Sequence, residues 1–101
     1  MTLRYQTQDG ILRVWLEGEL GHHEAICLMS RLSALVEDHL PTQMELDLSA
    51  LEFMDSSGIA VVVRTARKCA AYGGRLSVSN TPSQAKKVLL TAGIHRLVDI
   101  C

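Results

Sequence analysis

Three features of the sequence predict an α/β fold with a mixed β-sheet of four to five strands and helices packed mainly on one face. Asp9-Gly10 is a hairpin signal between two stretches rich in β-favouring residues. Downstream, segments with helical spacing alternate with short segments of period two. The later strands are separated by connections long enough for parallel crossovers, whose right-handedness puts the helices mainly on one face. The predicted order is ββαβαβα(β), in a single domain spanning residues 1–101.

Residues 3–8 read as the first strand, with Leu3 and Tyr5 alternating against Arg4 and Gln6. Ile11 to Glu17 reads as its antiparallel partner, broken by Gly18, with Glu19-Leu20-Gly21 as a connector. From His22 to His39, the residues Ala25, Ile26, Leu28, Met29, Leu32, Leu35 and Val36 follow helical spacing, and Pro41 ends the run. Met44, Leu46 and Leu48 then point to one side of a short central strand, and Glu45 and Asp47 to the other. Leu51 and Phe53 lie in a loop before the polar knot Asp55-Ser56-Ser57-Gly58. A second helix follows, with Ile59, Val62, Val63, Ala66, Cys69 and Ala70 on its inner face and Arg64, Arg67 and Lys68 outside. Gly73-Gly74 suits a left-handed C-cap. Arg75 to Ser79 reads as a strand with Leu76 and Val78 inward. Thr81, Pro82 and Gln84 form an N-cap, a first helical position and a capping box for a third helix, which Gly93 stops. Leu97, Val98 and Ile100 read as a final edge strand.

The totals exclude several classes. With 101 residues and 48% hydrophobic composition, the chain builds a core without disulfides or metal. A net charge of −1 argues against direct nucleic-acid binding, which needs a basic face. No apolar run is long enough for a membrane span, and the N-terminus lacks the apolar region of a signal peptide. Cys27, Cys69 and Cys101 form no C-x-x-C pair, which fits a reducing compartment, so the protein is expected in the cytoplasm.

The polar knot carries the chemistry. It places two serine hydroxyls at a helix N-terminus, where unpaired N–H groups and the macrodipole favour negative charge. A phosphate suits that position as a ligand or as a serine modification. From the residues alone, Ser56 also reads as a plain N-cap.

The stretch LDLSALEFMDSSGIAVVV, with EGELGHHEA before it and YGGRLSVSNTPSQAKKVLLTAGI after it, closely resembles the STAS domain, in particular the bacterial anti-sigma factor antagonists. The resemblance covers nearly the whole chain and implies a partner switch. In that family the unphosphorylated antagonist binds an anti-sigma factor that is an ATP-dependent serine kinase. Phosphorylation of a loop serine, by motif position Ser56, breaks the complex, and a metal-dependent serine phosphatase resets it. The resemblance further implies partner contacts at Asp55, Ser57, Gly58, Ile59, Gly21 and His22. It implies a non-enzymatic monomer that forms heteromeric complexes. Two departures stand out. Gly21 occupies a position where relatives commonly carry an acid, and many relatives continue into another C-terminal helix, so a sheet face or helix flank is expected to be less covered here.

Other readings remain beside this one. Asp55 fits a helix cap, a magnesium contact in the kinase complex or partner recognition; Ser57 fits local support. Gly58 permits close backbone approach, to a neighbouring helix or to a partner. His22 and His23 diverge by roughly 100° on a helix, which opposes a shared metal site, and no cofactor is expected. Trp15 reads as sheet packing and Asp47 as a strand-end polar residue. The Arg64, Arg67 and Lys68 face is solvated or meets an acidic partner. A serine hydrolase lacks the G-x-S-x-G pattern and a placed base. A STAS adaptor controlling a secretion, transport or signalling complex is the alternative within the same fold.

Overall fold

The computed structural model describes residues 1–101. The elements are β1 (Thr2–Gln8), β2 (Ile11–Leu20), α1 (His22–His39), β3 (Gln43–Met54), α2 (Ser57–Ala71), β4 (Arg75–Ser79), α3 (Ser83–Thr91), a 3-10 turn (Ile94–Arg96) and β5 (Asp99–Ile100). The sheet order is β1-β2-β3-β4-β5, with β1 and β2 antiparallel and the other pairs parallel. Each crossover therefore adds its strand on the same side of the last, and crossovers of one hand bring the helices to one face. The radius of gyration is 12.1 Å, close to the value of about 13 Å expected for this length.

Cross-strand rows build the core. Leu12 pairs with Met44 and Met44 with Leu76; Val14 pairs with Leu46 and Leu46 with Val78. All six are buried beneath the helices, with Ala25, Leu28, Leu32 and Val36 of α1 above them. The reverse face is polar. Arg13 Nε lies 2.6 Å from Glu45 Oε2, and the Arg4 and Arg13 guanidiniums lie 5.7 and 5.9 Å from the Trp15 ring centroid.

Several expectations need correction. Gly18 does not end β2: with φ +110° it sits inside a strand that runs to Leu20. Leu51 and Phe53 are not in a loop, because β3 continues to Met54. Both differences have one cause. Trp15 and Glu17 pair with Asp47 and Ala50, and Gly18 and Glu19 pair with Leu51 and Phe53, so β3 carries an extra residue twice. Bulges of this kind keep a ladder intact while changing the phase of its side chains. Burial consequently passes from Met44, Leu46 and Leu48 to Leu51 and Met54, leaving Phe53 exposed.

Ile26, counted among the apolar helix positions, is 56% exposed, and Tyr5 is 50% exposed. Tyr5 packs against His39, ring centroids 5.4 Å apart. In α2 the buried face is Gly58, Val61, Val62, Thr65, Ala66 and Cys69, one step round from the expected one. The thiol of Cys69 is pushed up to about 11 by burial, which makes it inert at neutral pH. The C-terminal strand is only Asp99–Ile100, and Leu97 is exposed. At the end of α2, Gly73 has φ +82°, and a Cβ on Gly74 would lie 2.3 Å from the Pro41 carbonyl oxygen.

Asp47 is buried rather than a free strand-end residue. Burial pulls its pKa up, but the Ser49 amide at 2.9 Å, the Asn80 carboxamide at 3.0 Å and nearby Arg13 outweigh that and leave it lowered. A lowered carboxylate stabilises the fold fully above the unfolded value of about 3.9, and that stability is lost as pH falls toward the folded value. Urea denaturation of wild type and Asp47→Asn should therefore show a gap at pH 7 that narrows as the pH falls below about 4. Leu46→Ala should destabilise by about 2–5 kcal/mol in the same assay, because it empties the centre of a cross-strand row.

Candidate functional site

The end of β3 is fixed from two sides before the chain reaches the serines. On one side, the Asp55 amide donates to the Leu20 carbonyl oxygen at 3.1 Å, which ties the loop to the end of β2. On the other, the Gln84 carboxamide of α3 bonds the Met54 backbone twice. Gln84 Oε1 accepts from the Met54 amide at 2.9 Å, and Gln84 Nε2 donates to the Met54 carbonyl oxygen at 2.7 Å. The expected capping box at Thr81 and Gln84 is therefore absent. No side-chain cap bond forms at the start of α3, and the Thr81 hydroxyl is buried without a partner. Gln84 pairs a backbone 30 residues away because Met54 would otherwise leave a donor and an acceptor unpaired at a strand end.

The knot itself divides its work between neighbours. Asp55 Oδ1 accepts from the Ser57 amide at 2.7 Å, so the aspartate caps α2. Ser56 occupies the N-cap position in the right-handed helical region, φ −61° and ψ −18°, and makes no side-chain cap bond. Its plain N-cap reading is therefore wrong: the capping oxygen comes from Asp55, and the Ser56 side chain is exposed. The Gly58 amide donates to the Asp55 carbonyl oxygen at 3.0 Å, and the Ile59 amide to that of Ser56 at 3.1 Å.

Gly58 is buried, and a Cβ there would lie 2.4 Å from Met54 Cγ and 2.6 Å from Met54 Sδ. The close approach is thus to the side chain of the preceding strand. Ser57 and Ile59 are partly buried. Gly21 lies beside this knot: a Cβ on it would be 3.3 Å from Glu24 Oε1 and 3.7 Å from Asp55 Oδ2. An acid at position 21 would place a third carboxylate against those two, which like-charge repulsion opposes. His22 follows as the exposed first residue of α1, its ring 6.0 Å from that of His23.

No group of three or more His, Cys, Asp or Glu side chains is arranged to hold a metal ion. No helix is long and apolar enough to cross a membrane.

A family model described as "Mlab, STAS domain" matches residues 3–99. The chain belongs to the STAS domain family. This STAS domain is similar to the "Anti-sigma F factor antagonist" of Paenibacillus polymyxa, 28% identical over 99% of this chain and 86% of the relative. The protein of the same name from Lysinibacillus sphaericus is 33% identical over 78% of this chain and 68% of the relative. In structure it resembles the anti-sigma factor antagonist SpoIIAA in its unphosphorylated form. The TM-score is 0.84, with 24% identity, over 99% of this chain and 88% of that one. The mixed sheet with three helices is thus the fold of the family.

Gln84 is the site residue that sequence reasoning missed. Its position at the start of a helix offered only a local capping role, whereas in this STAS domain it clamps the base of the Ser56 loop. Gln84→Ala should destabilise by about 1–3 kcal/mol, because it orphans the Met54 amide and carbonyl. Hydrogen exchange should speed up at the Met54 and Asp55 amides first, while the Leu46 amide keeps its protection.

Proposed function

We propose that this STAS domain is an anti-sigma factor antagonist switched at Ser56. Unphosphorylated, it binds an anti-sigma factor that is itself an ATP-dependent serine kinase. Phosphorylation of Ser56 releases that partner, and a metal-dependent serine phosphatase restores the binding form. The protein acts as a single-domain, non-enzymatic binding protein in the cytoplasm, monomeric until it forms heteromeric complexes. The observation that carries the reading is the exposed Ser56 side chain at the start of α2, with the cap supplied by Asp55. The names of the curated relatives support the same role.

The physics of the switch follows from that position. Phosphorylation adds about 1.5–2 negative charges at Ser56. The start of α2 stabilises them by roughly 0.3–1 kcal/mol, so the fold tolerates the modification. A partner surface seated over Ser56, touching Asp55, Ser57, Gly58, Ile59, Gly21 and His22, instead meets a desolvated dianion beside the Asp55 carboxylate. An uncompensated buried charge of that kind weakens an interface by about 2–5 kcal/mol. The energy of phosphorylation is thus felt mainly in the complex.

An adaptor role in a secretion, transport or signalling complex uses the same fold with a different partner. Pull-down from cell lysate with wild type, Ser56→Ala and Ser56→Asp as baits, read by mass spectrometry, separates the two. Wild type and Ser56→Ala should hold an ATP-binding serine kinase that Ser56→Asp loses. Retention of the same proteins by all three baits would remove Ser56 as the switch. A transporter or scaffold subunit in place of the kinase would support the adaptor.

A further inference from the structure

At the other end of α2 from Ser56 lies a cleft of about 370 Å³ that the partner switch does not use. Its volume falls within the range of small-molecule sites. Three elements each bring an arginine to its lining. Arg67 comes from the C-terminal half of α2, Arg75 is the first residue of β4, and His95 and Arg96 belong to the 3-10 turn. One carboxylate, Asp99, shares the lining. The ion pairs of the molecule are Arg13 with Glu45 and Lys68 with Glu37, so none of the three cleft guanidiniums is neutralised by one.

Arg67, Arg75 and Arg96 are all exposed, so the three guanidiniums are open to an anion arriving from solvent. Lys68, not Arg67, is the base in the last turn of α2, and Arg75 opens a strand, so neither arginine is placed to offset a helix dipole. The backbone beneath them is held in place. The Gly74 amide donates to the Cys69 carbonyl oxygen at 2.8 Å, the Arg75 amide to that of Thr42 at 3.1 Å, and the Val98 amide to that of Ile94 at 3.0 Å. Buried Leu76 and Val98 contribute an apolar floor. Like charges gathered in a cleft with an apolar wall raise the local positive potential and concentrate anions there. Guanidiniums bind phosphate oxygens as two-pronged donors, which favours phosphate over a simple halide. The overall charge of −1 and the small size of the cleft oppose an extended polyanion such as a nucleic acid.

We propose that the cleft formed by Arg67, Arg75 and Arg96 binds a compact, multiply charged phosphate compound, at a site separate from the Ser56 knot. The two sites share no lining residue, so both can be occupied at once.

Titration of the 15N-labelled protein with inorganic pyrophosphate, followed by NMR, tests this. Saturable shifts are expected in the amides of Gly74 to Leu76 and Ile94 to Asp99, with those of Ser57 to Ile59 unmoved. Arg75→Gln and Arg96→Gln should each weaken binding at least about tenfold, and Ser56→Ala should leave it unchanged. The same spectra report whether each variant is folded, and either one alone suffices. Failure to saturate in the millimolar range would overturn the proposal. So would an equal response to sulfate at matched ionic strength, or shifts confined to the Ser56 knot. Saturation of the same amides by a polyglutamate peptide but not by pyrophosphate would reassign the cleft to an acidic protein segment. These readouts do not depend on the Ser56 switch, so the two readings fail separately.

Discussion

β3 is paired with β2 from Gln43 to Met54 and with β4 from Gln43 to Asp47, and the helices cover one of its faces. The rows Leu12–Met44–Leu76 and Val14–Leu46–Val78 fix its register at one end. At the other, two bulges let β2 and β3 stay paired through Leu20 and Met54. The Leu20 carbonyl and the Gln84 carboxamide then clamp the exit. Ser56 thus stands two residues past the last strand residue, on a base held by bonds from Leu20, Gln84 and Asp55. A binding surface gains from such preorganisation because little ordering entropy is lost when a partner docks.

The division of labour between Asp55 and Ser56 gives that base its chemistry. An aspartate cap satisfies an orphan amide of α2 and leaves the adjacent hydroxyl with no structural task. Modification of Ser56 then removes no native hydrogen bond. In the proposed switch, the same aspartate would stand beside the modified serine and sharpen the contrast between an exposed phosphate and one covered by a partner. Gly21 fits the pattern, since the space beside it is already bordered by the carboxylates of Glu24 and Asp55.

α2 thereby links two poles of opposite electrostatic character. Asp55, Ser56 and Ser57 stand at its N-terminal end; its C-terminal half faces a cleft lined by three arginines and Asp99. The long axis of the helix keeps the poles apart, and the buried face of Val61, Val62, Thr65, Ala66 and Cys69 anchors both to one core. The polar reverse face of the sheet, with Arg13–Glu45 and the Asp47–Asn80 bond, holds neighbouring strands together without adding apolar surface.

Local sequence signals account for the order of elements, the hairpin at Asp9-Gly10, the extent of α1, the glycine stops at Gly73 and Gly93, and the placing of Asp55 to Gly58 at the start of α2. These features are local: alternation, helical spacing and turn chemistry act within a few residues of one another. Other features arise from contacts between distant segments. The bulges that extend β3 past Leu48 were not visible along the chain, because a bulge is a relation between two strands. The unbroken apolar run Ile59 to Val63 did not fix which side of α2 turned inward, and packing chose Val61 and Thr65. Gln84 looked like a cap for its own helix, yet it bonds Met54 because folding brings α3 to the end of β3. The cationic cleft is of the same kind: Arg67, Arg75 and Arg96 lie on three separate elements, and only the packing of α2, β4 and the 3-10 turn brings their charges together.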